Sequence, residues 1–383
     1  MVKKLGEVCL IQSGGTPSRS ISSYWENGTI PWVKISDFSE RMLFSTEESI
    51  TVEGLNNSSA KVFPKGTLLY TIFATLGEVN ILGIDAATNQ AIAGITITDC
   101  NLLTDYLYYY LISIKESVIR AGRGVAQNNI NLGILRELPI QMPSIEKQLF
   151  IAKTLDSVDK LISLRKKQLQ KLDDLVKSRF VEMFGDETNP KNWPLISVDN
   201  VADVSVGVVI KPAQYYTDSE HGIKAFRSMN IGPMTIKNTD WVYFSKEGNE
   251  KNAKTQLMEN DLLIVRSGAP GTACVVTKEY EGCNAIDIII ARPNTQKINP
   301  LFLCYYTNLP HGRRQIEEGT GGAAQQHFNV GKYNKLKVML PSMDKQNEFV
   351  TFVKHVDKSR LTIQDGLNRM ELLKQSLMQK YFG

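Results

Sequence analysis

The sequence predicts an α+β chain: two strand-rich domains in tandem, each followed by a long α-helix, with the two helices pairing as an antiparallel coiled coil. Three observations lead there. The first is an internal repeat. AQNNIN at 126 is answered by AQQHFN at 324, and PSIEKQ at 143 by PSMDKQ at 341, both at an offset of 198 residues. Met183-Phe184-Gly185 and Tyr381-Phe382-Gly383 keep the same offset, so a whole structural unit is duplicated, with a period far longer than a solenoid repeat. The second is a change of texture. Residues 1–142 carry short β-like runs such as Gly66-Thr67-Leu68-Leu69-Tyr70-Thr71-Ile72-Phe73 between Gly, Asn and Ser clusters, whereas Ser144 to Phe184 contains no Gly or Pro and reads as one helix of roughly 60 Å at about 1.5 Å per residue. The third is the heptad.

The element boundaries follow in order. Residues 1–142 form the first strand-rich domain, with a helix expected near Asp105 to Ile119, and 143–186 the central helix. Asn189-Pro190-Lys191-Asn192-Trp193-Pro194 is a linker by composition, so 187–340 forms the second domain, and 341–383 the distal helix. The heptad row Leu155, Ile162, Leu169, Val176, Met183 is wholly apolar, while its companion Val158, Arg165, Leu172, Arg179 is mixed. In the distal helix the roles invert: Val356, Ile363, Met370, Leu377 is clean, and Val353, Arg360, Leu367, Lys374, Tyr381 is mixed. In an antiparallel pair an a position faces a d position, so the two clean rows meet; in a parallel pair each clean row would face a mixed one. The alternative is that each helix lies on its own domain.

Composition narrows the function. The 383 residues carry 42% hydrophobic side chains and no apolar run of eighteen, and Glu7 interrupts the basic start, so an unexported, cytoplasmic protein without a membrane partner is expected. Five cysteines, an odd number without a CxxC pair, argue against a disulfide framework and a zinc site. A net charge of +4 permits DNA as a partner without demanding it. There is no GxxxxGK[ST] and no GxSxG, and His221, His311, His327 and His355 show no metal-ligand spacing. Gly319-Thr-Gly-Gly-Ala-Ala324 fits GxGxx(G/A), but no convincing strand precedes it and no apolar helix follows. No catalytic constellation emerges, and no metal site.

The stretch SGGTPSRSISSYWENGTIPWVKISDF, Ser13 to Phe38, is dense in donors suited to phosphates and bases. Together with the two AQ-x-x-(I/F)-N segments, the P-S-hydrophobic-(E/D)-K-Q helix starts and the paired long helices, it resembles the specificity subunit of type I restriction-modification enzymes over essentially the whole chain. The resemblance implies a non-catalytic subunit with two target-recognition domains, each reading one half of a bipartite, asymmetric DNA target. The helices would set the gap between the halves. Two adenine methyltransferase subunits would dock and bring S-adenosylmethionine, and restriction and translocation subunits would bring ATP and Mg; this chain would hold no cofactor. A methylation-only or orphan system, and a protein-binding scaffold, are the other readings.

Phosphate contacts fix register while base edges in the major groove carry sequence, with Arg or Lys suited to guanine and Asn or Gln to adenine. On that basis the candidate DNA contacts are Thr16, Ser18, Arg19, Lys34, Arg123, Gln127 and Asn128 in the first domain. In the second they are Lys211, Gln214, Tyr215, Arg227, Asn230, Arg266, Gln325 and Gln326. Trp25 and Trp32 read as packing anchors rather than base stackers, and Gln127 and Gln325 equally as junction residues. Lys160, Lys166, Lys167 and Lys171 are the candidate docking residues for a methyltransferase subunit, against the plain alternative of a solvated helix face.

Overall fold

The computed structural model describes residues 1–122, 130–186, 188–320 and 328–383. In chain order the first module comprises β1 (Val2–Lys4), β2 (Cys9–Ser13), β3 (Ile30–Val33), β4 (Met42–Leu43), β5 (Leu68–Thr71), β6 (Val79–Leu82), β7 (Ala86–Thr88), β8 (Ile92–Ile97), α1 (Thr104–Ser113), α2 (Leu132–Glu137) and β9 (Pro139–Gln141). The central helix α3 runs Ile145–Phe184. The second module repeats the plan with β10 (Leu195–Ser197), β11 (Ala202–Val206), β12 (Ile223–Phe226), β13 (Leu262–Val265), β14 (Ala273–Val275), β15 (Asn284–Ala285), β16 (Ile288–Pro293), α4 (Pro300–Asn308), α5 (Pro310–Thr320), α6 (Val330–Lys335) and β17 (Lys337–Met339). The distal helix α7 runs Met343–Phe382.

In the first module β2, β8, β5, β6 and β4 form one sheet in that order; in the second the corresponding order is β11, β16, β13, β14. The central strand β13 is a continuous apolar run and β5 is apolar but for Thr71, and every residue in each is buried, as expected for strands covered on both faces. A smaller sheet flanks each, containing the parallel pairs β3 with β7 and β12 with β15. The short pairs β1 with β9 and β10 with β17 tie the entry of each module to its exit.

The compact units cut through both long helices rather than ending where they begin. One unit comprises Met1–Lys166 with Gln364–Gly383, the other Lys167–Ile363. Within each, the helices run antiparallel: Asp159 pairs with Lys374 at 2.6 Å and Lys166 with Glu371 at 3.2 Å in the first, and Arg179 with Glu348 at 3.0 Å and Asp173 with Arg360 in the second. Both heptad rows face inward. Leu155, Val158 and Ile162 are buried in the first unit, and Val176, Val353 and Val356 in the second. The mixed rows are tolerated because Arg179, Arg360 and Lys374 each meet a carboxylate on the opposing helix. Asp173 is thus a seam residue.

The repeated motifs are folding parts. Gln148 and Gln346 are fully buried. The Gln148 carboxamide accepts from the Leu103 amide at 2.9 Å and donates to the Asn101 and Pro143 carbonyls at 2.8 and 3.0 Å. Gln346 likewise accepts from the Asn299 amide at 2.8 Å and donates to the Pro341 carbonyl at 2.9 Å. Each glutamine locks the start of a long helix to the start of α1 or α4. In the other motif Ile130 and Phe328 are buried anchors, and Asn131 and Asn329 are the N-caps of α2 and α6, accepting from the Ile134 and Lys332 amides.

Gln148→Ala strands a buried amide and two carbonyls, and is expected to cost about 1–3 kcal/mol. A lowered unfolding midpoint by chemical denaturation, with Lys153→Ala on the exposed face as the silent control, checks this.

Candidate nucleic-acid interface

Strand register gathers the loops of each module at one end of its sheet. In the first module Ser13 at the end of β2 pairs with Ala93 of β8, and Thr71 at the end of β5 pairs with Ile92. The loop after β2, the β5–β6 hairpin and the β7–β8 connection therefore open on the same side. The Gly14 amide donates to the Ile92 carbonyl at 3.1 Å, Gly15 to Thr88 at 2.8 Å, Asn89 to Val33 at 3.1 Å and Ile130 to Ile72 at 3.2 Å. The second module is pinned in the same way: Gly207 donates to Ile288 at 2.9 Å, Val208 to Ala285 at 2.7 Å and Phe328 to Arg266 at 2.9 Å.

Two glycines make this end possible. A Cβ on Gly14 would lie 2.2 Å from the Thr88 carbonyl oxygen, and one on Gly207 would lie 2.3 Å from that of Ala285. These are backbone atoms that cannot swing aside. The loop after Gly15 is held from beneath by the two indoles: Trp32, buried, donates to the Gly15 carbonyl at 3.0 Å, and Trp25 donates to the Ser18 carbonyl at 3.1 Å. The rings meet edge to face at 4.9 Å. Both tryptophans are packing anchors, as expected from the sequence.

A unit repeated twice is also what the comparisons with known proteins find. The sequence pattern of the type I restriction modification DNA specificity domain matches residues 1–174 and, again, residues 190–370. The chain belongs to that family. It is 24% identical to the type I restriction enzyme MjaIX specificity subunit of Methanocaldococcus jannaschii, over 99% of this chain and 91% of that protein. It is 30% identical to the EcoR124I/EcoR124II specificity subunit of Escherichia coli, over 45% of this chain and 47% of that one. Among solved structures the fold is shared with the type I S subunit from M. genitalium, at a TM-score of 0.58 and 16% identity, covering 100% of this chain and 96% of the other. It is shared too with a chain from a study of type I complex assembly and conformational transition, at a TM-score of 0.61 and 17% identity, covering 100% and 97%. The chain is thus a type I specificity subunit with two recognition domains.

In this specificity subunit the expected contact residues separate into three groups. Thr16, Ser18, Arg19 and Lys34 lie at the sheet end of the first domain. The Thr16 hydroxyl donates to the Gln90 side chain, and Ser18 and Ser20 share a hydroxyl–hydroxyl bond of 2.8 Å. Arg19 lies over the Trp25 ring, 3.6 Å from its centroid, and pairs with Glu48 at 2.6 Å. Lys34 reaches Glu47 and Glu48 at 2.8 and 2.7 Å; these bonds raise its pKa and, with Arg19, hold that of Glu48 down. Lys211, Gln214, Tyr215 and Arg227 occupy the corresponding end of the second domain. Lys211 and Gln214 are exposed, the Tyr215 ring rests against Phe244, and the Arg227 guanidinium donates to the Asp240 carbonyl.

Two residues are corrections. Asn230 is fully buried; its side chain accepts from the Arg227 amide at 2.9 Å and donates to the Thr239 carbonyl at 2.6 Å, so it closes a turn and presents nothing to a base. The Arg266 side chain is only 12% exposed and is paired with Asp287, its Nε donating to the Phe328 carbonyl at 3.3 Å. It braces the hairpin from inside. The third group, Arg123, Gln127, Asn128, Gln325 and Gln326, lies outside the described residues, as do His327 and most of the glycine-rich segment before it.

On the helices Lys160, Lys166, Lys167 and Lys171 are all exposed, and Lys166 pairs across the seam with Glu371. Sequence reasoning passed over four leucines that are also exposed: Leu161 and Leu164 of α3, at 45% and 47%, and Leu372 and Leu373 of α7, at 64% and 49%. Their signal was present in the heptad, which leaves them outside both core rows.

Among the described residues no group of His, Cys, Asp or Glu is placed to hold a metal, and no helix is long and apolar enough to cross a membrane. Burial pushes the thiols of Cys9 and Cys274 up to about 12.

Gly14→Ala forces a backbone clash and is expected to destabilise the first domain by about 1–3 kcal/mol, whereas Ser18→Ala, on the exposed tip, leaves the melting temperature unchanged. Paired thermal melts of the two variants distinguish a structural glycine from a surface loop residue.

Proposed function

We propose that each recognition domain reads one half of a bipartite, asymmetric DNA target through the loops at its sheet end, and that the subunit itself carries out no chemistry. The carrying observation is the contrast between a repeated scaffold and unrepeated loops. The pinning hydrogen bonds and the buried glutamines recur in both modules, while the chain positions that hold Thr16-Pro17-Ser18-Arg19 in the first module hold Val209-Ile210-Lys211-Pro212 in the second. A fixed frame holding different side chains is suited to reading two different half-sites.

In this reading α3 and α7 set the gap between the half-sites and dock two methyltransferase subunits. The exposed Leu161 and Leu164 of α3, close in sequence to Lys160 and Lys166, and the exposed Leu372 and Leu373 of α7 offer apolar contact beside cationic groups. S-adenosylmethionine, ATP and Mg belong to the methyltransferase and restriction subunits, and the assembly works on cytoplasmic DNA.

Co-expression with the methyltransferase subunit in a methylation-free host, followed by mapping of modified adenines, is expected to return a split, asymmetric motif methylated on both strands. A palindromic motif, or no methylation despite a stable complex, overturns the reading. Within a mapped motif, Arg19→Ala is expected to relax only one half, by about 1–3 kcal/mol for the lost contact. For the docking face, the double variant Leu372→Asp and Leu373→Asp is expected to keep its melting temperature while failing to co-purify the methyltransferase.

A further inference from the structure

We propose that each recognition domain reads a thymine through its 5-methyl group, by Phe73 in the first domain and by Ile210 in the second. The inference rests on the DNA-reading function proposed above and assigns part of its specificity to two apolar side chains. Phe73 is 50% exposed and Ile210 79% exposed, each on a loop at the sheet end that also carries the polar candidates.

Scattered exposed apolar residues are ordinary on protein surfaces; three features set these apart. The first is backbone conformation. Phe73 is followed by Ala74 at φ +59°, and Ile210 by Lys211 at φ +43°. Both successors are non-glycine residues held in the left-handed region, a conformation that costs free energy and persists only where the surroundings enforce it. The second is rigidity at the base of each tip. The hairpin is closed by Gly77 donating to the Thr71 carbonyl at 3.0 Å and by Glu78 donating to the Thr71 hydroxyl at 2.8 Å. The second loop is held by Val208 donating to Ala285 at 2.7 Å and Gln214 to Lys211 at 3.1 Å. An apolar group held in place loses little freedom on meeting DNA.

The third feature is that the fold does not require either side chain. Counted from the same pinning hydrogen bonds, the counterpart of Phe73 in the second domain is Ser267, and the counterpart of Ile210 in the first is Pro17. The left-handed corner itself is kept, since Gly268 at φ +84° stands where Ala74 does. The frame therefore closes equally with a polar residue at the hairpin tip, and what varies is what the tip presents. In the major groove, which admits a two-stranded ribbon, the thymine methyl is the one apolar feature of the base-pair edges and lies beside hydrogen-bonding groups. Phe73, at the sheet end that also carries Thr16 and Ser18, and Ile210, next in the chain to Lys211, whose carbonyl accepts from the Gln214 amide, offer the matching arrangement of an apolar tip among donors.

The test uses this chain in complex with its methyltransferase subunit and a fluorescent duplex carrying the mapped target, with each thymine replaced singly by deoxyuracil to remove only the methyl. Anisotropy titrations are expected to show one thymine in each half whose replacement weakens binding about three- to tenfold, the scale of one buried methyl group. Phe73→Ala should abolish the thymine-to-uracil difference in one half and leave the other intact, and Ile210→Ala should do the converse. Equal affinity of the unmodified complex for every uracil duplex overturns the proposal, as does a thymine-to-uracil ratio unchanged in both variants. A complex that binds no DNA with sequence preference overturns instead the DNA-reading function on which the proposal stands.

Discussion

Each compact unit is completed by the carboxyl end of a long helix, and that plug is the constraint on which the rest depends. In the second unit Phe180 and Phe184 are fully buried, Phe184 meeting Phe302 of α4 edge to face at 5.1 Å and Phe349 of α7 at 5.7 Å. In the first unit Phe382 approaches Tyr106 and Tyr110 of α1 at 5.3 and 6.3 Å, with Leu377, Met378 and Tyr381 against the same core. Burying one such ring is worth about 1.5–3 kcal/mol, and each unit takes several side chains of this kind. The helix that leaves one module ends as part of the core of the other, so the two long helices must both form before either core is complete. Repeating Met-Phe-Gly as Tyr-Phe-Gly is the sequence record of that plug.

Much of the architecture was legible because duplication exposes it. Residues that recur at one offset are those the scaffold cannot lose: the glutamine clamps, the Asn131 and Asn329 caps, the buried Ile130 and Phe328, the terminal phenylalanines. Motifs that invited a DNA-contact reading thus owe their described parts to folding. The inverted heptad rows also gave the antiparallel pairing, since an a-to-d seam is a property of pattern alone. Sequence could not show how the mixed rows are paid for. Arg360 finds Asp173 and Lys374 finds Asp159 only once the register of the pair is known, because the partners are close to two hundred residues apart in the chain.

The candidate interface was legible in its location and less so in its members. Arg266 follows a buried strand and precedes a glycine turn, a place suited equally to a ligand contact and to an internal brace; the deciding partner, Asp287, sits on another strand connection. Asn230 follows Arg227 at the spacing of a turn closure, and a polar residue in such a turn bonds its own backbone readily. In both cases local sequence specifies the chemistry of the side chain, while the tertiary partner decides which way that chemistry points. The exposed apolar tip was overlooked for the opposite reason: Phe73 ends a β-like run in the sequence, and only the hairpin places it outside.

The electrostatics of the first recognition domain bear on how such a surface can discriminate. Arg19 and Lys34 are both engaged with Glu48, and Lys34 also with Glu47, so these two cations are largely balanced before any partner arrives. A cation already paired with a carboxylate contributes less to counterion release than a free one, and counterion release supplies nearly all sequence-independent affinity for DNA. A surface of this kind holds random sequence weakly. Exchanging Glu48 for a phosphate or a base edge repays its cost only where the geometry of the new contact is good, as in a bidentate Arg pair. A net charge of only +4 over 383 residues adds little long-range attraction to this balance.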